Sequence, residues 1–393
     1  MQEREYIPAL KHDGKSNLVH TGRMTRRHLF LIWVVLAASL SLALGAVLPA
    51  KLSDAEFWQL ITDLSEEDGY FRFENFVSNE LEYQSVIPAL NEATKPGGVY
   101  LGVGPEQNFT YVSALKPKMA FIIDIRRQNM LELLMYKAVF EMSSNREDFM
   151  SRLFGRKRPS GLTDRATADE LITAFEAAPQ DPALFAKTKT AIRRRLVNDH
   201  RFRLSAKDLE TIDFVYMVFF QYGPELDYAV GGGATGGATF AALIRSTDDK
   251  GKEHGFLASE ANYKFVREMQ QRNLIVPLVG DFAGPKTIRA IGQYLKERGA
   301  VATAFYLSNV EQYLFAQSDD WSKFYSNVAA LPLDSTSQFI RTSRFAYPAG
   351  PRQLPREPQR GTFLSLLSPM EEFITLFNEG HIESYNQVIQ MSK

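Results

Sequence analysis

The chain has 393 residues, 45% of them hydrophobic, enough for a sizeable core and one or two domains. Its formal net charge of −1 supplies no global basic field for nucleic acid or a membrane surface. It has no cysteine, which excludes disulfides, thiolate catalysis and Cys-ligated metal sites.

Residues 1–28 are polar and read as a disordered cytoplasmic tail. Residues 29–50 (LFLIWVVLAASLSLALGAVLPA) carry no charge and have about the length of a bilayer-spanning helix. Arg23, Arg26 and Arg27 precede this run, and Lys51, Asp54, Glu56, Asp63, Glu66 and Glu67 follow it. The positive-inside bias places the N-terminus in the cytoplasm and everything after Ala50 outside. Two fates stay open. One is an uncleaved signal anchor, giving a single-pass cell-membrane protein. The other is a cleaved signal peptide, giving a periplasmic or exported one; a start at Met24 would provide its short basic n-region, and Ala43 and Gly45 a small-x-small pair.

Residues 53–64 predict a helix opened by a Ser53/Glu56 capping box, and residues 71–93 a second helical region broken at Pro88. Residues 99–103 (VYLGV) predict a strand that enters a tight turn at Gly102 and Gly104. A second apolar run, 119–123, ends in Asp124. Strand, glycine turn, strand and acid is the order of parts in a nucleotide-binding βαβ unit. A helix is expected over 126–142. The helical, charged stretch and the apolar segment 209–221 that follow place a helical insertion at about 143–228. Residues 231–237 (GGGATGG) form either a flexible loop or a backbone nest for an anion. After a helix over 259–272 come strands over 274–279 and 300–307, with a helix over 286–298 between them. A short strand is expected over 337–341, a Pro/Arg-rich loop over 348–359 and a helical region over 370–390. This alternation predicts an α/β fold over 51–393: a doubly wound, mostly parallel Rossmann-like sheet, preceded by the N-terminal hydrophobic helix.

The first turn departs from the dinucleotide fingerprint. Gln107 replaces its third glycine, Glu106 sits where a pyrophosphate would rest, and Pro105 lacks an N–H. These features argue against NAD or FAD and for a phosphate-free ligand with a positive centre. The plainer reading of Glu106 is an acid stabilised by a helix N-terminus. Asp124 suits a ribose hydroxyl, a helix N-cap or an ion pair with Arg126, and Arg126 could instead accommodate the 2′-phosphate of NADP. Asp281, Asn309 and Glu311 stand at the carboxyl ends of later strands. With Gly102, Gly104, Glu106, Asn108 and Asp124 they converge on the crevice where open α/β sheets bind small molecules. His12, His20, His28, His200, His254 and His381 lack metal-ligand spacing, so no metal is expected. Arg152, Arg156, Lys157, Arg158 and residues 193–195 read as solvated faces, so no nucleic-acid partner is expected.

The GVG turn, the IIDI acid and the GDFAG segment together resemble class I S-adenosylmethionine-dependent methyltransferases over residues 99–314. The segments VYLGVGPEQNFTYVSALKPKMAFIIDIRRQN, VGDFAGPK and AFYLSNVEQYLF are also similar to a bacterial family of functionally uncharacterised Rossmann-like proteins. The methyltransferase resemblance implies S-adenosylmethionine as cofactor. Gly102 and Gly104 would flank its methionine part, Asp124 would hold its ribose, and Asp281 or Phe282 would lie near the methyl donor. It further implies that Asn309, Glu311 and Tyr313 orient a methyl acceptor, with Glu311 as general base. Tyr100 stands where that family places an acid, and no Asn-Pro-Pro-Tyr run is present. The competing expectation is a non-catalytic envelope protein with a degenerate methyltransferase fold, whose crevice binds a ligand or a partner.

Overall fold

The computed structural model describes residues 47–228, 230, 238–343 and 363–393. Residues 1–46, the 231–237 loop and the 348–359 loop lie outside these, so the expectations placed on them receive no structural account. Among the described residues six strands form one sheet in the order β3-β2-β1-β4-β5-β6. They are β1 (Val99–Val103), β2 (Met119–Asp124), β3 (Ile275–Val279), β4 (Ala302–Ser308), β5 (Gln338–Ser343) and β6 (Leu364–Pro369). β1 to β5 are mutually parallel, with Leu101 opposite both Phe121 and Phe305; β6 runs antiparallel to β5.

The local chemistry explains these strands. Nearly every residue of β1 and β2 is buried, so they appear as unbroken apolar runs, the mark of a parallel sheet covered by helices. Pro277 lies within β3, opposite Ile122, and is tolerated because β3 is an edge strand whose outer side needs no N–H. The result is a mixed α/β, Rossmann-like architecture.

The helices are α1 (Asp54–Leu64), α2 (Ile87–Ala93), α3 (Gln107–Leu115), α4 (Arg127–Met142), α5 (Arg146–Phe154), α6 (Ala168–Ala177), α7 (Pro182–Arg194), α8 (Ala206–Tyr222), α9 (Phe240–Ile244), α10 (Glu260–Gln271), α11 (Thr287–Lys296), α12 (Val310–Phe315), α13 (Asp320–Val328), α14 (Met370–Asn378) and α15 (Tyr385–Gln390). Ser53 and Glu56 form the expected capping box at α1. α4 packs on β2 and β3, and α5 to α10 lie between α4 and β3 in the chain. α8 buries Ile212, Val215, Tyr216 and Phe219, a stripe at helical spacing.

Three expectations are corrected. Residues 71–80 are not helical; a 3-10 turn (Leu81–Gln84) and then α2 follow them. Pro88 lies in the first turn of α2, where its missing N–H breaks no helical bond, so it opens the helix rather than interrupting one. The region 370–390 is two helices, α14 and α15, separated at Gly380, whose φ of +77° suits a residue without Cβ. β6 has no counterpart in the sequence reading.

Residues 65–80 form a strap over the carboxyl ends of the strands. The Glu66 N–H donates to the Val279 carbonyl (2.8 Å) and the Gly69 N–H to the Ile125 carbonyl (2.8 Å). Arg126 donates to the carbonyls of Phe73 (2.8 Å) and Glu74, and the Ser78 N–H reaches Glu106 (3.4 Å). The Glu80 carboxylate accepts from Tyr306 (2.6 Å), Ser308 and Thr342 (2.7 Å). The strap thus touches the ends of β3, β2, β1, β4 and β5 in turn.

Candidate functional site

The strand order reverses between β1 and β4, which makes their carboxyl ends the topological switch point where such sheets open a crevice. The turn after β1 is built by its own side chains. Gly104 has a φ of +79°, a left-handed conformation that favours glycine. The Asn108 amide donates to the carbonyls of Val103 (2.9 Å), Gly104 (3.2 Å) and Pro105 (2.8 Å), which holds the turn shut. Gly102 serves a neighbouring contact: a Cβ there would overlap Asn108 Oδ1 and stand 2.7 Å from Tyr100 Oη. Those two atoms are joined by a 2.8 Å hydrogen bond, so the space over Gly102 is filled from within the chain.

The acids expected at the crevice are placed as follows. Asp124 is buried, and its Oδ1 accepts from the Arg126 backbone N–H (2.9 Å) and Nε (3.2 Å), while Oδ2 faces Arg126 Nη2 (3.4 Å). Asp281 is half-buried; its Oδ1 accepts the Ala283 N–H (2.9 Å), and burial raises its carboxyl above the ordinary range. The backbone N–H groups of Asp281 (2.9 Å), Lys286 (2.7 Å) and Thr287 (2.9 Å) hold the strap's Glu66 carboxylate, a resident anion at the start of α11. Glu311 is 2% exposed and accepts from Arg341 Nε (2.6 Å) and Nη2 (3.1 Å) and from Tyr325 (2.6 Å). Phe282 is a core residue, stacked 5.5 Å from Phe324. Asn309 is half-buried beside Ser308 (3.4 Å).

Tyr313 joins an aromatic rim carried partly by the strap. It meets Phe71 edge-on at 5.3 Å; Phe71 lies 5.9 Å from Phe73, and Phe73 lies 5.5 Å from Tyr228. All four rings keep some exposure. The Arg126 guanidinium lies 6.0 Å from the Phe71 ring, which seats the rim beside the end of β2. The structure therefore brings Gly104, Glu106, Asn108, Asp124 and Tyr313 to one neighbourhood, and directs Glu311 and Phe282 into packing around α13.

Beneath the turn lie acids of a different kind. Glu106 is 1% exposed, and burial pushes its carboxyl up to about 8. Glu132, on α4, is equally buried; burial and the nearby Glu106 hold it well above the carboxylate range. Burial likewise raises Glu80. Sequence reasoning passed over Glu80 and Glu132, and the signal for Glu132 was an acid inside the apolar run MLELLMY.

A second polar cluster flanks a cavity of about 410 Å3 beside Lys51 and Asp54. His200 lies there between Glu141 (2.6 Å) and Asp54 (2.9 Å), and Glu141 also meets Lys137 (2.7 Å) and Arg195 (2.8 Å). Arg195 and Arg156, expected on solvated faces, instead tie internal elements together; Arg156 donates to the Ala178 carbonyl (2.7 Å). Among the described residues no three His, Cys, Asp or Glu side chains are grouped to hold a metal ion, and no helix is long and apolar enough to cross a membrane.

A search of curated proteins finds no match to the chain. One family model matches residues 75–221 and 235–392, a span that includes the turn, both buried acids beneath it and Arg126. The chain belongs to this family, described as domain of unknown function DUF7790.

Proposed function

We propose that this is a non-catalytic binding protein, anchored to or exported across the membrane through residues 29–50. Its switch-point crevice would take a small flat-ringed molecule on the Phe71, Phe73, Tyr228 and Tyr313 rim. The supporting observation is the commitment of the acids that methyl transfer would need. A general base requires a lone pair directed at its substrate, and both Glu311 oxygens already accept from Arg341 or Tyr325. A ribose requires free carboxylate oxygens, and those of Asp124 face Arg126. S-adenosylmethionine therefore fits only in part: its adenine suits the aromatic rim, but its ribose meets an occupied acid, and Glu106 is buried beneath the turn, away from its positive charge.

Calorimetric titration of the full chain with S-adenosylmethionine and S-adenosylhomocysteine tests this. The expected result is no binding that depends on Asp124. Micromolar binding that disappears in Asp124→Asn, with the circular dichroism unchanged, overturns the reading and restores methyl transfer.

A further inference from the structure

Six buried oxygen atoms around the β1 turn have no hydrogen-bond partner: Glu106 Oε2, Gln107 Oε1, Asn129 Oδ1, both carboxyl oxygens of Glu132, and Tyr136 Oη. None of the five residues is more than 4% exposed. Asn129, Glu132 and Tyr136 recur at i, i+3 and i+7, one face of α4, while Glu106 and Gln107 open α3. The charge of Glu106 acts on both Glu132 and Tyr136, and the Asn129 amide donates to the Gly104 carbonyl at 3.3 Å. Glu106, Asn129, Glu132 and Tyr136 therefore gather at the same turn, whereas the Gln107 amide is turned to Tyr306 Oη on β4 (3.0 Å).

Buried polar atoms in native proteins are nearly all paired, so this group calls for a partner. Once the two carboxyls are ionised, the four oxygens of Glu106, Asn129 and Glu132 can only accept, and the Tyr136 hydroxyl can also accept. We propose that they form a binding site for a hard divalent cation of the Ca2+ type. Such an ion takes six to eight oxygens from carboxylates, amide carbonyls and water, in adaptable geometry. The set contains no nitrogen or sulfur donor of the kind that selects zinc or copper. Only two of its side chains are carboxylates, which is why a pattern of three or more acidic, His or Cys ligands does not reveal it. An ammonium group brings three donors and would leave two of the five unmet. Arg126 is near enough to act on Glu132, but four of its five side-chain N–H donors are engaged by Asp124, Phe73 and Glu74. Glu132 offers two oxygens for chelation. Glu106 offers one, its other oxygen holding the Ser78 N–H. A cation here ties the start of α3 to α4 across Gly104 and neutralises two carboxylates that apolar surroundings disfavour. This inference is independent of what the aromatic rim binds.

The test is thermal unfolding of the full chain after chelator treatment, with added CaCl2, MgCl2, or NaCl at matched ionic strength. The site predicts a saturable rise in Tm of several degrees with Ca2+, smaller with Mg2+ and absent with NaCl. Glu132→Gln should fold and lose the Ca2+ response; if it does not fold, Glu106→Gln is read the same way. No response in the wild type, or equal responses in wild type and variant, overturns the proposal and assigns these oxygens to water and protonated carboxyls. A Mg2+ response equal to that of Ca2+ overturns the choice of ion.

Discussion

At the scale of single residues, the glycines and acids that announce a ligand site are spent largely on the chain itself. Gly102 leaves room for the Tyr100–Asn108 hydrogen bond, and Asn108 in turn holds three carbonyls of the turn. Gly102→Ala must displace that bond, so we expect a loss of about 2–3 kcal/mol in urea unfolding. A variant as stable as the wild type would return Gly102 to the role of ligand cradle. Glu311 gives the sharper contrast. With Arg341 1% exposed, Glu311→Gln leaves a buried guanidinium without its counter-charge, a loss of roughly 3–5 kcal/mol. The double variant Glu311→Gln/Arg341→Met should recover much of it, because the uncompensated charge is then gone. A general base would show the opposite: intact stability in the single variant and no rescue in the double. The sequence displays Glu311 at a strand end, but its partner lies 30 positions away on β5, and nothing local announces that pairing.

At the scale of elements, legibility followed burial. β1 to β4 were readable to within two residues because unbroken apolar runs bounded by glycine or polar turns have few other uses. β5 is drawn short and β6 is not read: LSLLSP is neither an unbroken apolar run nor a clean alternation, and its antiparallel pairing is decided by β5. The strap is the more instructive miss. FRFENFVSNELEYQ carries apolar residues at near-helical spacing, yet the Phe73 and Glu74 carbonyls are taken by Arg126 and the Ser78 N–H by Glu106, so tertiary pairing replaces helix formation over 71–80. Arg126 supplies its central tie. Arg126→Ala removes the donors to Phe73 and Glu74 and leaves Asp124 without its guanidinium. We expect amide exchange over residues 66–80 to quicken by roughly 10- to 100-fold, with β1 to β4 staying protected. Unchanged exchange in the strap would mean that Glu66 and Glu80 suffice to hold it, and that the crevice is closed from its two ends.

At the scale of the whole molecule, the buried acids divide into two classes that pull stability in opposite directions with pH. Glu141 is buried, which alone would raise its carboxyl, but His200 and Lys137 outweigh burial and hold it at about 2. Asp208, also opposed by burial, is held at about 2 by Arg127 and Ser205. Both protonate more readily in the unfolded chain, so their stabilisation is present above their ordinary range and is lost as pH falls from about 4.5 toward 2. Glu106, at about 8, and the raised Glu80 and Glu132 behave inversely. The folded chain keeps protons that the unfolded chain releases, so stability declines as pH rises from about 4.5 through 8. The two limbs meet near pH 5, at the acid end of the range where proteins are usually most stable. Urea midpoints of the chelator-treated chain, measured from pH 3 to 9, should peak there. Glu106→Gln should shallow the alkaline limb and leave the acid limb alone, whereas Glu141→Gln should do the reverse, removing on the order of 3 kcal/mol at neutral pH. A peak at pH 7 to 8, with an unaltered alkaline limb in Glu106→Gln, would show that the acids beneath the turn are ionised in the folded chain and already neutralised by a partner that survives chelation. The Ca2+ assignment and the acid optimum are thus linked: filling the site ionises Glu106 and Glu132 in the folded state, so saturating Ca2+ should flatten the alkaline limb of the wild type as Glu106→Gln does without it.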